Sequence, residues 1–252
     1  MNKTYACSDL HGMYSLWKQI SEYCDDTDTI YFLGDAADRG PNGVKLIIEL
    51  LKDSRVKYLK GNHEDLFTIY VPYLLEGNYT YYTEWIMNGG DATWIDLSKF
   101  SEEYALYLCR KLDKLPLSAT YVNKQGQEIF LSHAGTDLNL TEEEYRLKGE
   151  GHKYLIWDRK HIYAPHPEDE KFKNVYQVHG HTPVPILEEK LLIPFYDRPQ
   201  KLEVKSYCGG RKIDIDLGCF ATAKTALIDL DDLKNVKYFY DLDLLKGEKY
   251  DA

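Results

Sequence analysis

Three times within its first 64 residues this chain passes from a short apolar run into polar residues beside glycine, then into a helical pattern. Thr4 to Ser8 leads into Asp9-Leu10-His11-Gly12, and Ile30 to Leu33 into Gly34-Asp35-Ala36-Ala37-Asp38-Arg39-Gly40. Val56 to Leu59 leads into Gly61-Asn62-His63-Glu64. Between these runs Leu16, Trp17, Ile20 and Tyr23, then Val44, Ile47, Ile48 and Leu51, fall at amphipathic helical spacing. Such alternation builds a β-α-β-α-β unit whose polar residues collect at the strand carboxyl ends, where open α/β sheets present groups to ligands.

The remainder of the chain extends this plan. Glu64 to about Leu75 and Tyr81 to Leu112 read as mainly helical, interrupted at Asn88-Gly89-Gly90-Asp91, which is a turn. Ser101-Glu102-Glu103 supplies an N-cap and an acidic first turn for the helix carrying Tyr104, Leu108 and Leu112. Ala119 to Val122 and Glu128 to Leu131 form a hairpin, and Val175 to Val178 a further strand. Thr141 to Glu144 has the form of a capping box, and Cys208-Gly209-Gly210 of a tight turn. Lys212 to Leu217, Thr225 to Leu230 and Val236 to Tyr240 are expected to complete a second sheet as an antiparallel meander. The expected class is therefore α/β, an α+β sandwich of two mixed sheets packed face to face and flanked by helices. One domain over 1–252 is expected, with a helical insertion at about 65–115.

Composition narrows the partners. A formal charge of -10 lacks the basic footprint of a nucleic-acid binder, so an anionic substrate must be attracted locally. Five cysteines without C-x-x-C spacing suit reduced thiols in packing roles. No window approaches a membrane span, and the N-terminal apolar stretch is too short for a signal peptide, which leads to the expectation of a cytoplasmic monomer.

Five of the eight histidines, His11, His63, His133, His179 and His181, stand at or just past predicted strand ends. In extended backbone residues i and i+2 share a face, so Asp9 and His11 would converge on one cation. Together with Asp35 and Asn62 these side chains make an oxygen and nitrogen donor set without thiolate, suited to manganese, iron or zinc. The set is too large for a single ion. In the same extended frame Asn62 and His63 would face opposite ways. His179 is read as packed or as a support behind the ligands, His152, His161 and His166 as solvated, Asp158 as a helix-cap or turn carboxylate, and Glu64 as a residue that caps or orients its loop.

The ordered motifs Asp9-Leu10-His11-Gly12, Gly34-Asp35-Ala36-Ala37-Asp38-Arg39-Gly40, Gly61-Asn62-His63-Glu64, Ser132-His133-Ala134-Gly135 and Gly180-His181-Thr182 resemble those of the calcineurin-like metallophosphoesterases. The Asp-Arg-Gly and Asn-His-Glu blocks are similar to the phosphoprotein phosphatase branch. The resemblance is dense from Thr4 to Glu64, recurs near His133, Arg159 and His181, and fades over Asp65 to Glu128 and Val184 to Arg211. It implies two divalent metal ions, with manganese first and iron or zinc as alternatives. Asp9, His11 and Asp35 would hold one, and Asp35, Asn62, His133 and His181 the other, with a hydroxide between them as nucleophile. His63 would be the proton donor oriented by Asp38, and Arg39 and Arg159 would bind phosphate. Pro183 stands where nucleases of this superfamily carry a further histidine, which disfavours a nucleic-acid polymer as substrate. A serine/threonine phosphoprotein is the substrate expected, with a dinucleoside polyphosphate such as diadenosine tetraphosphate as the alternative. A non-catalytic scaffold is a further alternative, opposed by the intact ligand set. The walls expected to decide the substrate are Asp65 to Leu112 and Leu191 to Gly210.

Overall fold

In the computed structural model, residues 2–80, 82–149, 151–193 and 201–245 are described, and the side chain of His152 is not. Tyr81 and part of the expected 191–210 wall therefore lie outside the described residues, as does the expected solvation of the His152 side chain.

The first sheet contains β1 (Thr4–Cys7), β2 (Thr29–Phe32) and β3 (Val56–Tyr58), parallel to one another and separated by α1 (Tyr14–Tyr23) and α2 (Gly43–Lys52). Period-two alternation sorts their side chains. Tyr5, Cys7, Ile30, Phe32 and Tyr58 face the helices, where Leu16, Trp17, Ile20, Val44 and Ile47 meet them. Ala6 and Leu33 face the other way, into a layer shared with Ile129, Leu131, Val178 and Ile213 of the second sheet. That shared layer is what packs the sheets face to face.

After β3 come α3 (Asn62–Leu75), α4 (Tyr82–Met87), α5 (Gly90–Leu97) and α6 (Glu102–Asp113). Ser101 caps α6 through its hydroxyl, which accepts from the Tyr104 N–H at 3.2 Å. The second sheet then forms from β4 (Ser118–Val122), β5 (Glu128–Ser132), β6 (Val175–His179), β7 (Lys205–Tyr207) and β8 (Lys212–Asp214), in the order β4-β5-β6-β8-β7. The hairpin of β4 and β5 is antiparallel, as expected, and the Cys208-Gly209-Gly210 turn joins antiparallel β7 and β8.

The expected meander is corrected in one respect. Only β8 joins the second sheet. β9 (Lys224–Asp229) returns to pair antiparallel with β1, and β10 (Asp232–Tyr240) closes that side of the first sheet. The physical reason is the edge of β1, whose backbone groups would otherwise be buried unpaired; β9 satisfies them and is itself buried along its whole length. All five cysteines are free, and no described helix is long and apolar enough to cross a membrane.

Candidate metal centre

The carboxyl ends of β1, β2, β5 and β6 deliver Asp9, Asp35, His133 and His181 to one place between the sheets. The extended geometry expected for Asp9 and His11 is not what brings them there. Asp9, His11, Asp35, Asp38, Arg39 and His181 all have positive φ, between 42° and 69°. Left-handed backbone in non-glycine residues costs roughly 1 to 3 kcal/mol each and persists only where neighbours enforce it. Here the loops after β1 and β2 are laced together: Asp9 N–H donates to the Gly34 carbonyl at 3.0 Å, His11 N–H to Asp35 at 2.9 Å, and Gly12 N–H to Ala36 at 2.7 Å. Nor are Asn62 and His63 extended; they begin α3 and diverge by helical rotation. Gly61 and Gly180 admit this crowding, since a Cβ on either would collide with the carboxylate of Asp35 or Asp9.

Two triplets of ligand atoms share Asp35: His11, Asp35 and His63, and Asp35, His133 and His181, each within 4.8 Å of one another and all buried. Asp35 Oδ2 lies 3.3 Å from His133 Nε2, 3.6 Å from His11 Nε2 and 3.7 Å from His63 Nε2. Asn62 Oδ1 is 2.8 Å from both His133 Nε2 and His181 Nδ1. The outer nitrogens of two rings are held by backbone, His11 Nδ1 on the Ala37 carbonyl at 2.9 Å and His133 Nδ1 on Leu33 at 2.8 Å. That arrangement turns both Nε2 lone pairs inward, as metal-binding histidines require. Asp9 joins neither triplet; its carboxylate accepts the His181 backbone N–H at 3.1 to 3.2 Å and the Ser8 hydroxyl.

The rings differ in charge preference. Burial opposes a proton on His133, but Asp35 and Asp9 outweigh it and raise its pKa to about 9. Burial likewise opposes charge on His63, yet Asp35 and the hydrogen bond to Asp38 raise it. His11 and His181 are held well below the usual range by burial and by neighbouring positive groups. Burial pushes the Asp9 carboxyl up to about 6. Asp35 experiences the same burial, but His133 and His63 beside it keep it well below the usual carboxylate range. Such opposed shifts within one donor cluster are a mark of functional sites.

Asp38 accepts from His63 Nδ1 at 2.7 Å, and Arg39 places Nη1 2.7 Å from His11 Nε2 and Nη2 3.2 Å from His63 Nε2. Arg159 is exposed, as is Arg39, and its Nη2 lies 3.5 Å from the His181 carbonyl. It lines a cleft of about 580 Å³ whose walls also include Leu66, Ile69, Tyr70, Tyr154 and Trp157. The Trp157 ring stands edge-on to His181 at 6.1 Å, so the cleft adjoins the cluster.

Residues 3–220 match the profile of the calcineurin-like phosphoesterases. The chain belongs to this family. Among curated proteins it is 38% identical over 66 residues to a symmetrical bis(5'-nucleosyl)-tetraphosphatase of Buchnera aphidicola subsp. Acyrthosiphon pisum (strain 5A). That alignment covers 24% of this chain and 24% of the relative, so the chain matches about a quarter of the relative's length. Among solved structures, a putative diadenosine tetraphosphatase superposes with a TM-score of 0.57 at 11% identity, covering 95% of this chain and 93% of the other. A protein serine/threonine phosphatase from Saccharomyces cerevisiae gives 0.58 at 13% identity, covering 95% and 80%. At these identities the superpositions establish the fold of this phosphoesterase.

Several residues outside the donor set support the phosphoesterase site. Glu64, expected from sequence to cap or orient its loop, is fully buried and accepts five hydrogen bonds: Asp35 N–H, Ala36 N–H and Gly61 N–H at 2.8 Å each, Tyr58 hydroxyl at 2.9 Å and Ala37 N–H at 3.4 Å. It ties the Asp35 loop to the start of α3. Glu64→Gln puts an amide NH2 where an acceptor is needed and is expected to destabilise the fold by about 1 to 3 kcal/mol, measured by urea denaturation. An unchanged midpoint would remove this role. Trp85 Nε1–H donates to Asp38 Oδ2 at 2.9 Å, Thr93 Oγ1 accepts the Asp38 N–H at 2.7 Å, and the Gly89 carbonyl accepts the Arg39 N–H at 2.8 Å. The one available signal was Asn88-Gly89-Gly90, read as a turn; Gly90 also leaves the space that the Trp85 indole fills.

The histidines outside the cluster correct one expectation. His161 is fully buried, edge-on to His179 at 4.9 Å, and burial holds its pKa below the usual value. Its short helical turn folds inward because Asp158 accepts the Lys160 and His161 N–H groups at 2.9 and 3.0 Å, the turn role expected of that carboxylate. His166 is half-buried, with Nε2 2.8 Å from the Phe172 carbonyl rather than in solvent. His179 is packed, as expected, with Nε2 2.8 Å from the Tyr207 hydroxyl.

Proposed function

We propose that this phosphoesterase is a metal-dependent phosphomonoesterase acting on serine/threonine phosphoproteins, built as one domain with a helical insertion at about 65–115. The observation that carries the reading is the Asp38-His63 pair set at 2.7 Å beside a buried cluster of metal-ligand type. Asp9, His11 and Asp35 would hold one divalent ion, and Asp35, Asn62, His133 and His181 a second. When bound, the two ions supply positive charge for the phosphoryl oxygens and a nucleophile available at neutral pH. The donor set, imidazole and carboxylate without thiolate, suits manganese, iron or zinc.

The chain's own groups supply the rest. Arg39 and Arg159 grip the phosphate, planar forks matched to its oxygens, and offset locally the acidity of a chain with net charge -10. His63, charged and held by Asp38, gives its Nε2 proton to the departing oxygen. The cleft beside Trp157, lined also by Leu66 and Ile69, takes the organic part of the substrate. Five free cysteines support a cytoplasmic location.

Hydrolysis of diadenosine tetraphosphate is the second reading, favoured by the 38% identity to a symmetrical bis(5'-nucleosyl)-tetraphosphatase. Phosphate release from phosphoserine and phosphothreonine peptides and ADP release from diadenosine tetraphosphate, both in manganese, separate the two. The first reading requires the higher kcat/KM on peptides. A large preference for the dinucleotide replaces it with the second.

A further inference from the structure

Trp85 is fully buried on α4, yet it carries a polar N–H that a phenylalanine of similar shape would not need to satisfy. That N–H donates to Asp38 Oδ2 at 2.9 Å, the same oxygen that His63 Nδ1 meets at 2.7 Å. Asp38 Oδ1 is buried without a hydrogen-bond partner among the described residues, so both side-chain donors converge on one oxygen. A buried carboxylate ordinarily engages both oxygens, and this convergence fixes the plane and direction of the group. The indole itself is clamped, stacked on Tyr70 at 6.4 Å, edge-on to Phe67 at 6.2 Å, and seated against Gly90, where any Cβ would strike it.

We propose that Trp85 is a positioning residue for proton transfer, its indole N–H fixing the Asp38 carboxylate so that His63 presents Nε2 to the leaving oxygen. The inference deepens the proposed function and rests on the reading of His63 as proton donor. No bond to substrate is made or broken by Trp85; it acts through Asp38. A merely structural tryptophan would affect every substrate alike. A tryptophan that acts through the acid affects only esters whose leaving group needs a proton.

Wild type, Trp85→Phe, His63→Asn and the double variant are to be compared in manganese on 4-nitrophenyl phosphate, which departs without protonation, and on an alkyl phosphomonoester, which requires it. For Trp85→Phe the expected result on the alkyl ester is a kcat lower by roughly 10- to 100-fold, the loss expected for a hydrogen bond to a charged group, with KM within about 2-fold. On 4-nitrophenyl phosphate the loss stays under about 3-fold, and in the His63→Asn background the substitution adds less than about 2-fold. Equal losses on both esters, or losses that multiply in the double variant, overturn the proposal. A Trp85→3-benzothienylalanine protein, which keeps the ring volume and lacks the N–H, repeats the test if phenylalanine impairs folding. The proton-donor reading fails separately if His63→Asn keeps full activity on the alkyl ester. In that case the His63 Nδ1–H resonance of the 15N-labelled protein still decides the role of Trp85, because positioning requires it to move in Trp85→Phe and an unmoved signal overturns it.

Discussion

His63→Asn is expected to lower kcat by roughly 10²- to 10⁴-fold, the contribution of a positioned general acid. The imidazole is the group in the cluster with both a carboxylate on one nitrogen, Asp38 at 2.7 Å, and an arginine beside the other, Arg39 at 3.2 Å. Asp35 and Asp38 keep its pKa raised against the effect of burial, which preserves the imidazolium needed to protonate an alkoxide. Asparagine fills part of the space without a transferable proton. Elemental analysis distinguishes the two roles the geometry offers, because His63 also stands in a ligand triplet with His11 and Asp35. Retained metal with lost turnover supports the acid, whereas metal lost together with turnover makes His63 a ligand and removes the assignment.

Manganese added to the metal-free protein is expected to raise its melting temperature by about 10 °C, and Asp35→Asn to abolish most of that shift. A ligand at roughly 100 to 1,000 times its Kd stabilises the native state by about 3 to 4 kcal/mol. For a chain of this size each kcal/mol moves Tm by about 2 to 4 °C. Asp35 is the test because its carboxylate is common to both triplets and lies within 3.7 Å of three imidazoles. Removing its charge also removes the partner that raises His133 to about 9 and so favours the neutral ring a metal needs, which means that weak binding by the variant reports the lost carboxylate itself. A full thermal shift in Asp35→Asn would show that the two sites do not meet at this residue.

The contrast between what sequence revealed and what it concealed follows from chain separation. The three strand-to-loop units were legible because each is local: apolar run, polar break and amphipathic helix fall within about thirty residues. The order of the outer strands was not, since Ala6 pairs with Ile228 through backbone alone and leaves no residue-specific trace. Convergence of Asp9 with His11 was expected from a strand, but positive φ and the lacing of two loops produce it instead. Trp85 was invisible for a related reason, as its partner is 47 residues earlier and an indole in an amphipathic run looks like core. His161 was read as solvated because its neighbours are polar, whereas the Asp158 turn carries it inside.

The pairing of β9 with β1 also bears on the order in which this protein can be made. During synthesis β1, β2 and β3 leave the ribosome early, but the strand that covers the open side of β1 begins only at Lys224. A nascent chain must therefore carry a bare hydrogen-bonding edge from the emergence of β1 until that of Lys224, a surface able to recruit other nascent strands. Completion of the first sheet is thus a late event. Until β9 and β10 are added, that edge stays open to pairing with other strands.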